Sequence, residues 1–277
     1  MLPDNCDLLK KGAEMTHNRT LAIFDAHIHT EFSGAPDPLS GITATLERYL
    51  ADRKRAGVVG ALTDSASPCQ QVEDLMMHGI HRCAVIGSSE FTPESIEVDL
   101  NRGLCRAIKI NLGFIHKYAS DSCFLPIYEL AARYNIPLLF HTGDPGWAKA
   151  KIKYAHPITL DEVIVDYPSV NFVLVHAGNP WFETAAVITD KNPNAFLELS
   201  GLLNGNVATL PPRTTQAHMI EPITRLVTYL GGASKLIFGS GWPMVDLPAY
   251  IAAVQQALPE EHWEDVFHGN AARLFRI

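Results

Sequence analysis

The chain has 277 residues, of which 47% are hydrophobic and 19% charged, and its formal net charge is -8. This composition is typical of a globular protein with enough apolar material for a full core. The negative charge argues against non-specific attraction to nucleic acid or to an anionic membrane. The cysteines are scattered and form no CxxC pair, which indicates free thiols in a reducing compartment rather than a disulfide framework.

The N-terminal residues 1–20 mix acidic and basic side chains and lack the apolar segment of a secretory signal. No apolar run approaches the roughly 18 residues that a membrane-spanning helix needs. We therefore expect a cytoplasmic protein without a membrane partner. Its predicted organisation is a polar tail at 1–20 and one folded domain at 21–277.

From residue 21 onward, short apolar runs alternate with helical patterns. The predicted strands are, in chain order, LAIFDAHIHT, VVGALTDS, CAVIGSSE, CRAIKINLGF, PLLFHTG, NFVLVHAG, AFLELSG and KLIFGSG. The first helix, ITATLERYLADRKRAG, is amphipathic, and Gly57 is suited to cap its end. The later helical patterns are QQVEDLMMHGI, SIEVDLNRG, LPIYELAARYN, LDEVIVDYPS, WFETAAVITDKN, AHMIEPITRLVTYLGG, LPAYIAAVQQAL and EHWEDVFHGNAARLFRI.

The strands are continuous apolar runs rather than alternating ones, which is typical of a parallel sheet buried on both faces. Eight strand–helix units in about 250 residues fit a closed barrel better than an open doubly wound sheet. No glycine-rich phosphate fingerprint follows the first strand, which argues against a dinucleotide-binding fold. The sequence predicts the α/β class and a single-domain (β/α)8 TIM barrel.

Histidines occur where several predicted strands end, which is where such barrels carry their reactive groups. His27 and His29 end the first strand and, being two residues apart, point to the same side. His141 ends the fifth strand and His176 the sixth. Each alone is more often a hydrogen-bonded buried histidine, but together they predict a metal or catalytic site, since imidazole is the commonest protein ligand for zinc.

Other residues near the same strand ends are candidates for substrate binding. Lys109 and Asn111 share one side of the fourth strand. Trp147 lies in a lysine-rich loop after the fifth strand, and Arg213 lies in the loop after the seventh. These loops favour a small carboxylated substrate, although basic residues in surface loops are equally often simply solvated. We take Asn111, Trp147 and Arg213 as candidate substrate-binding residues.

Seven segments together resemble the amidohydrolase superfamily, and within it the amidohydrolase-2 group of TIM-barrel metal-dependent hydrolases and decarboxylases. They are, in family order, FDAHIHT, AIKIN, LLFHTG, VLVHAGNPW, FLELSG, IFGSGWP and HGNAARLF, and they span nearly everything from residue 21 to the end. The resemblance implies a divalent metal, zinc or alternatively manganese, and a small-molecule substrate. Relatives are commonly homo-oligomers.

The resemblance also implies roles for individual residues. His27 and His29 match the strand-one metal ligands, and His141 matches the strand-five ligand. His176 matches a strand-six histidine that binds a second metal or polarises substrate and water. Lys109 matches a position that is a carbamylated, metal-bridging lysine in some branches; in the amidohydrolase-2 group it is commonly a lysine without that role, so it is a candidate metal or substrate contact.

One position departs from the family pattern. The strand-eight motif of the family is similar to FGSDWP, whose aspartate binds the metal and shuttles a proton; here Gly241 replaces that aspartate. A positioned general base contributes roughly 10²–10⁴-fold in rate, whereas three histidines and water are a sufficient zinc set. The catalytic candidates are therefore His176 with a substitute carboxylate, Asp246 or Glu90; the further carboxylates near strand ends are Asp64 and Glu31.

Three functions are compatible with this pattern. The first is a metal-dependent hydrolase that attacks an ester, lactone or amide, with a carboxylated substrate, through metal-activated water. The second is non-oxidative decarboxylation at the same site. The third is a catalytically silent relative that binds a small molecule, because Gly241 removes a side-chain function. The intact histidines favour an enzyme.

Overall fold

The computed structural model of the protein describes residues 21–64, 74–87 and 91–277. The predicted tail at 1–20 and Glu90 lie outside these ranges. Within them, eight strands form one sheet in chain order, and every neighbouring pair is parallel. The strands are β1 (Ile23–Ile28), β2 (Val58–Thr63), β3 (Ile80–Ile86), β4 (Ala107–Ile110), β5 (Leu138–His141), β6 (Phe172–Val175), β7 (Ala195–Glu198) and β8 (Leu236–Ile237).

The sheet closes on itself because the chain beyond β8 bonds to β1. The amide of Ala26 donates to the carbonyl of Phe238 at 2.9 Å, and the amide of His29 donates to the carbonyl of Trp242 at 2.8 Å. Ile28 pairs with Trp242 in a parallel bridge. The predicted (β/α)8 barrel is therefore confirmed.

Helices and short helical turns connect the strands. The first helix has the predicted ends: the Thr45 side chain accepts from the amide of Arg48, and Gly57 closes it in the left-handed region at φ 74°. The α-helices are α1 (Leu46–Ala56), α2 (Pro93–Asn101), α3 (Leu112–Ile115), α4 (Leu125–Tyr134), α5 (Ile152–Ala155), α6 (Asp161–Asp166), α7 (Phe182–Lys191), α8 (Pro212–Thr215), α9 (Glu221–Tyr229), α10 (Leu247–Ala257) and α11 (Asn270–Phe275), with residues 74–77 also helical. In the described ranges, no helix is both long enough and apolar enough to cross a bilayer.

Tighter and wider helical turns complete the connections. The 3-10 turns are Ser122–Phe124, Pro157–Leu160, His176–Gly178, Val207–Thr209 and Glu260–His262, and the π turns are Gln216–Ile220 and Asp265–Gly269. One π turn leads directly into α9, where Pro222 stands in the first turn. A proline is tolerated there because the first amides of a helix have no partner within it.

An apolar cluster inside the barrel separates its two ends. It takes residues from most strands and is covered by the last helix; its members are Phe24, Ala26, Leu62, Cys83, Ala107, Leu139, Val173, Val175, Ile237, Ala271, Leu274 and Phe275. A second, larger cluster packs the outer face of the strands against the helices. Because this cluster fills the interior, the polar side chains that point into the barrel meet beyond it, at the carboxyl end of the strands.

The end of β1 departs from simple alternation. Phe24 and Ala26 belong to the interior cluster, whereas Ile28 packs in the outer one. The pairing of β1 with β2 shifts register between Asp25 and Ile28. Such an irregularity re-aims side chains, and here it directs His27 toward the barrel axis.

Candidate active site

A cavity of about 530 Å³ opens at the carboxyl ends of the strands. Its polar lining collects side chains from the ends of five strands, namely His27, His29, Asp64, Lys109, Asn111, His141 and His176, and Gly241, after β8, lies beside them. The volume suits a small molecule. The structure thus brings four histidines, Lys109 and Asn111 into one site.

His27 is held by its Nδ1 atom. This nitrogen lies 3.2 Å from Glu198 Oε2 and 2.9 Å from Ser200 Oγ. Because a carboxylate only accepts hydrogen bonds, Nδ1 carries the proton and Nε2 has the lone pair. Nε2 lies 3.1 Å from Lys109 Nζ and 3.4 Å from Asp64 Oδ2. Burial and the Lys109 charge oppose protonation, but Asp64 and Glu198 outweigh them and raise the pKa of His27.

Asp64 links His29 to Lys109. Its Oδ1 lies 2.8 Å from His29 Nδ1, and its Oδ2 forms an ion pair with the buried Lys109 ammonium. Burial alone would raise the pKa of this carboxyl, but the charges of His29, Lys109 and His27 hold it well below its ordinary value. One ligand atom from each of His27, His29 and Asp64 falls within 4.8 Å of the others.

His141 presents an unpaired nitrogen. Its Nε2 is buried and has no hydrogen-bond partner among the described residues. Burial, with a further contribution from the Lys109 charge, lowers the pKa of His141 to about 3. The ring packs edge-on against Phe114 and His176, with centroid distances of 5.4 Å and 4.7 Å. His141 is therefore neutral at physiological pH and has a lone pair available.

His176 stands on strained backbone. It has φ 64°, and the next residue, Ala177, has φ 47°; both lie in the left-handed region that side chains other than glycine rarely adopt. His176 Nδ1 lies 3.0 Å from the Ser200 carbonyl oxygen, so Nδ1 donates and Nε2 retains its lone pair. Gly201 makes room for the ring, because a Cβ there would lie 2.5 Å from Nδ1. Burial and the neighbouring His141 lower the pKa of His176 well below its ordinary value.

Glu198, at the end of β7, was missed by the sequence analysis. Its carboxylate accepts from the Ser200 amide at 2.6 Å and from Ser200 Oγ at 2.8 Å, besides its contact with His27. Burial would raise its pKa, but the hydrogen bond with His27 and the electrostatic effects of His27 and His176 lower the pKa to about 2. A carboxylate behind a ligand histidine fixes its tautomer and ring orientation. The available signal was an acidic residue in the otherwise apolar run AFLELSG.

Gly241 has space around it but an unusual backbone. Its φ is +76°, and a Cβ built there would meet only Ser200 Cβ, at 3.9 Å. Its amide donates to the His27 carbonyl at 2.7 Å, which helps to join the chain after β8 to β1. Among the described residues that line the cavity, the carboxylates are those of Asp64 and Asp144.

Two of the predicted site residues lie elsewhere. Asp246 is not part of the cavity lining; it caps α10, where its side chain accepts from the Ala249 amide at 3.0 Å. This capping holds the carboxylate at the start of the helix, outside the cavity. The structure therefore does not place Asp246 where the expected catalytic role requires it. Arg213 lies on α8 and lines a separate groove with Gln216 and Ala252, so the structure does not bring it into the cavity with the other predicted site residues.

The other candidates differ in how close they come to the cavity. Asn111 lines it, and its buried Oδ1 has no hydrogen-bond partner among the described residues. Trp147 is 47% exposed and stacks on Phe114 at 5.4 Å, so Phe114 rather than Trp147 forms the cavity wall. Glu31 is exposed. Glu90 lies outside the described residues.

The donor set fits a divalent metal. Imidazole nitrogen and carboxylate oxygen are ligands for zinc, and a buried imidazole nitrogen without a partner, as in His141, is costly unless a ligand satisfies it. His27, His29, His141 and Asp64 are the residues that could hold the ion. The Lys109 ammonium contacts His27 Nε2 and Asp64 and therefore competes with a metal for the same atoms.

Comparison with known proteins supports the fold and the family. A stretch of 99 residues is 31% identical to protein fluG of Emericella nidulans, but it makes up 34% of this chain and only 11% of that protein. A probable 2-pyrone-4,6-dicarboxylic acid hydrolase from Acinetobacter baumannii, solved with citric acid bound, superimposes with a TM-score of 0.66 at 15% identity, covering 93% of this chain and 99% of its own.

Two other solved structures hold metal ions. An amidohydrolase from Burkholderia multivorans with bound zinc has a TM-score of 0.65 at 13% identity, with 92% of this chain and 99% of that chain covered. A 5-carboxyvanillate decarboxylase from Novosphingobium aromaticivorans, in complex with manganese, has a TM-score of 0.62 at 14% identity, with 92% and 96% covered. At these identities the likeness shows the shared fold. The amidohydrolase profile, that of the amidohydrolase-2 group, matches residues 14–277, and the chain belongs to this family.

Proposed function

We propose that the protein is a metal-dependent hydrolase of a small ester, lactone or amide. The observation that carries the proposal is that His27, His29, His141 and Asp64 line one cavity, with ligand atoms of the first two and of Asp64 within 4.8 Å of one another and with the buried Nε2 of His141 lacking a partner among the described residues. The metal is zinc, with manganese as the alternative. Structures of the same fold that contain these ions support this choice.

A bound metal would polarise the scissile carbonyl and lower the pKa of its water. The residues of the chain do the rest. Glu198 and Ser200 hold His27 with its Nε2 lone pair toward the cavity. His176, neutral and anchored through Nδ1, presents Nε2 as a proton acceptor that can return the proton to the leaving group.

The charged side chains that line the cavity favour a substrate with at most one carboxylate. Lys149, Lys151, Lys153 and Arg213 motivated the expectation of a carboxylated substrate, but none of the four lines the cavity, and the three lysines are exposed. Among the described residues that line the cavity, Lys109 is the one lysine or arginine, and its charge is already paired with the carboxylate of Asp64. Asn111 Oδ1 is an unsatisfied acceptor that would select a hydroxyl or amide donor of the substrate.

A catalytically silent binding protein is the second candidate, and one contact favours it. Lys109 Nζ lies 3.1 Å from His27 Nε2 and pairs with Asp64. An ammonium at this place supplies positive charge without a metal. In that case the site would bind a small molecule through Lys109 and Asn111, and Gly241 would provide space for it.

The test begins with metal content. Protein purified without chelators, and again after incubation with Zn²⁺ or Mn²⁺, is examined by elemental analysis beside His27→Ala. Near-stoichiometric metal that the variant loses supports an enzyme; wild-type protein without metal after reconstitution refutes it and favours the binding protein.

Reaction type is then resolved by mass balance on the metal-loaded protein. Esters, lactones and amides are screened for acid release, and aromatic carboxylic acids for CO₂ release. Acid release that depends on metal supports hydrolysis. CO₂ release without acid release would instead assign non-oxidative decarboxylation, the second of the functions compatible with the sequence.

A further inference from the structure

We propose that Asp64, at the end of β2, supplies the carboxylate ligand of the metal and thereby replaces the aspartate that is missing at Gly241. This inference rests on the proposed function, because it concerns a residue of the same metal site. It assigns the carboxylate role to a different strand from the one that the sequence motif indicates.

The strand order places Asp64 and Gly241 on opposite flanks of the same histidine pair. In the barrel, β1 lies between β2 and β8, and Ile28 pairs with Thr63 on one side and with Trp242 on the other. Asp64 directly follows Thr63, and Gly241 directly precedes Trp242. A carboxylate at either position therefore lies beside the end of β1, where His27 and His29 stand.

The contacts of Asp64 leave one oxygen available. Oδ2 is engaged by the Lys109 ammonium. Oδ1 is buried and has no hydrogen-bond partner among the described residues, although His29 Nδ1 is only 2.8 Å away. Because one ligand atom from each of His27, His29 and Asp64 lies within 4.8 Å of the others, a cation could take the place of the proton between His29 and Asp64 and bind all three residues.

Of the two described carboxylates that line the cavity, Asp64 is the one whose side chain is largely buried and held by ion pairs. Its side chain is 12% exposed, whereas Asp144, the other described carboxylate of the lining, is exposed. Asp144 Oδ1 accepts from the Gly146 amide at 2.9 Å within its own loop. Asp144 therefore provides a matched control, since its replacement removes the same charge from the same cavity.

The test measures metal affinity directly. Isothermal titration with Zn²⁺ and with Mn²⁺, after chelator treatment, is compared for wild type, Asp64→Asn and Asp144→Asn, with circular dichroism and thermal melting to verify folding. Loss of residues behind the ligands typically costs about 10–100-fold in metal affinity, so loss of a direct ligand is expected to weaken binding by at least about 100-fold. Asp144→Asn is expected to bind as the wild type does.

A second variant protects the test against a trivial loss of structure. Gly241→Asp in the Asp64→Asn background restores a carboxylate on the other flank of β1, where a Cβ has room. Aspartate tolerates the left-handed region better than most residues. We expect this double variant to recover part of the lost affinity, and no recovery in a folded double variant would count against a shared carboxylate role.

The outcomes separate the two proposals. Metal binding by the wild type and by folded Asp64→Asn with equal affinity overturns the role of Asp64 and leaves the metal enzyme intact. A wild-type protein that binds neither ion overturns the proposed function, and the ligand role of Asp64 with it. Weakened binding in Asp64→Asn alone supports both.

Discussion

Two glycines of the FGSGWP segment should respond very differently to the same substitution. At Gly239, an added Cβ would lie 1.9 Å from Glu198 Oε1 and 2.9 Å from His27 Cβ. At Gly241, the nearest atom would be Ser200 Cβ at 3.9 Å, an ordinary contact, but the backbone has φ +76°. Gly239→Ala therefore tests packing against the site, and Gly241→Ala tests backbone conformation.

The expected magnitudes follow from these environments. Overpacking in a filled interior costs about 1–3 kcal/mol. Displacing the Glu198 carboxylate leaves its buried partners His27 and Ser200 unsatisfied, which costs a further ~1–3 kcal/mol. Gly239→Ala should therefore lower the free energy of unfolding by about 2–6 kcal/mol. Gly241→Ala should cost about 1–2 kcal/mol, the penalty of a left-handed conformation for a residue with a side chain.

Urea denaturation of both metal-free variants gives the two free energies of unfolding, and unchanged m-values would show that the same transition is compared. Metal titration adds a second comparison, since Gly239→Ala should also weaken metal binding by disturbing His27. Equal destabilisation by the two substitutions, or a Gly239→Ala variant as stable as the wild type, would refute the inference that a Cβ at position 239 displaces the Glu198 carboxylate.

Three further predictions concern the same site. Glu198→Gln should weaken Zn²⁺ affinity by about 10–100-fold because a neutral amide orients His27 less firmly; competition with a chromophoric chelator measures this, and unchanged affinity would contradict the positioning role. In metal-free protein, stability is expected to fall as the pH drops from about 6.5 toward 3, because unfolded His141 and His176 bind protons near their ordinary pKa, while in the folded protein the pKa of His141 is about 3 and that of His176 is well below its ordinary value. His141→Asn should flatten this part of the stability profile, and an unaltered profile would show that His141 is not its source. Free metal at 100 times its dissociation constant should raise the free energy of unfolding by about 2.7 kcal/mol, seen as a higher melting temperature that a chelator reverses, and a melting temperature insensitive to metal would argue against a native-state site.

The fold was accessible from sequence because its signals are local. A continuous apolar run predicts a strand buried on both faces wherever it occurs, and eight such runs separated by helices have few closed arrangements. Glycine at position 57 was recognised as a helix end because its left-handed φ depends on the immediate backbone. Local signals also brought His27, His29, His141 and His176 into one candidate site, since each ends a strand.

The carboxylates were harder to assign because their neighbours are distant in sequence. Asp246 stands a few residues after a strand end, as a catalytic residue could, yet its oxygen is used by the amide of Ala249 to start a helix. Proximity along the chain could not distinguish a helix cap from a catalytic group. Glu198 is separated from His27 by 171 residues, and their contact exists only because the barrel closes.

The sequence by itself determined the barrel, the histidines at its carboxyl end and the absence of a side chain at Gly241, because these depend on residue type and on spacing along single strands. The tertiary structure decided which nitrogen of His27 and His176 faces the cavity, which carboxylate stands beside the histidines, and that Arg213 belongs to a different groove. Those outcomes depend on the register shift in β1 and on the closure of β8 against β1, which bring residues from distant segments within hydrogen-bonding distance.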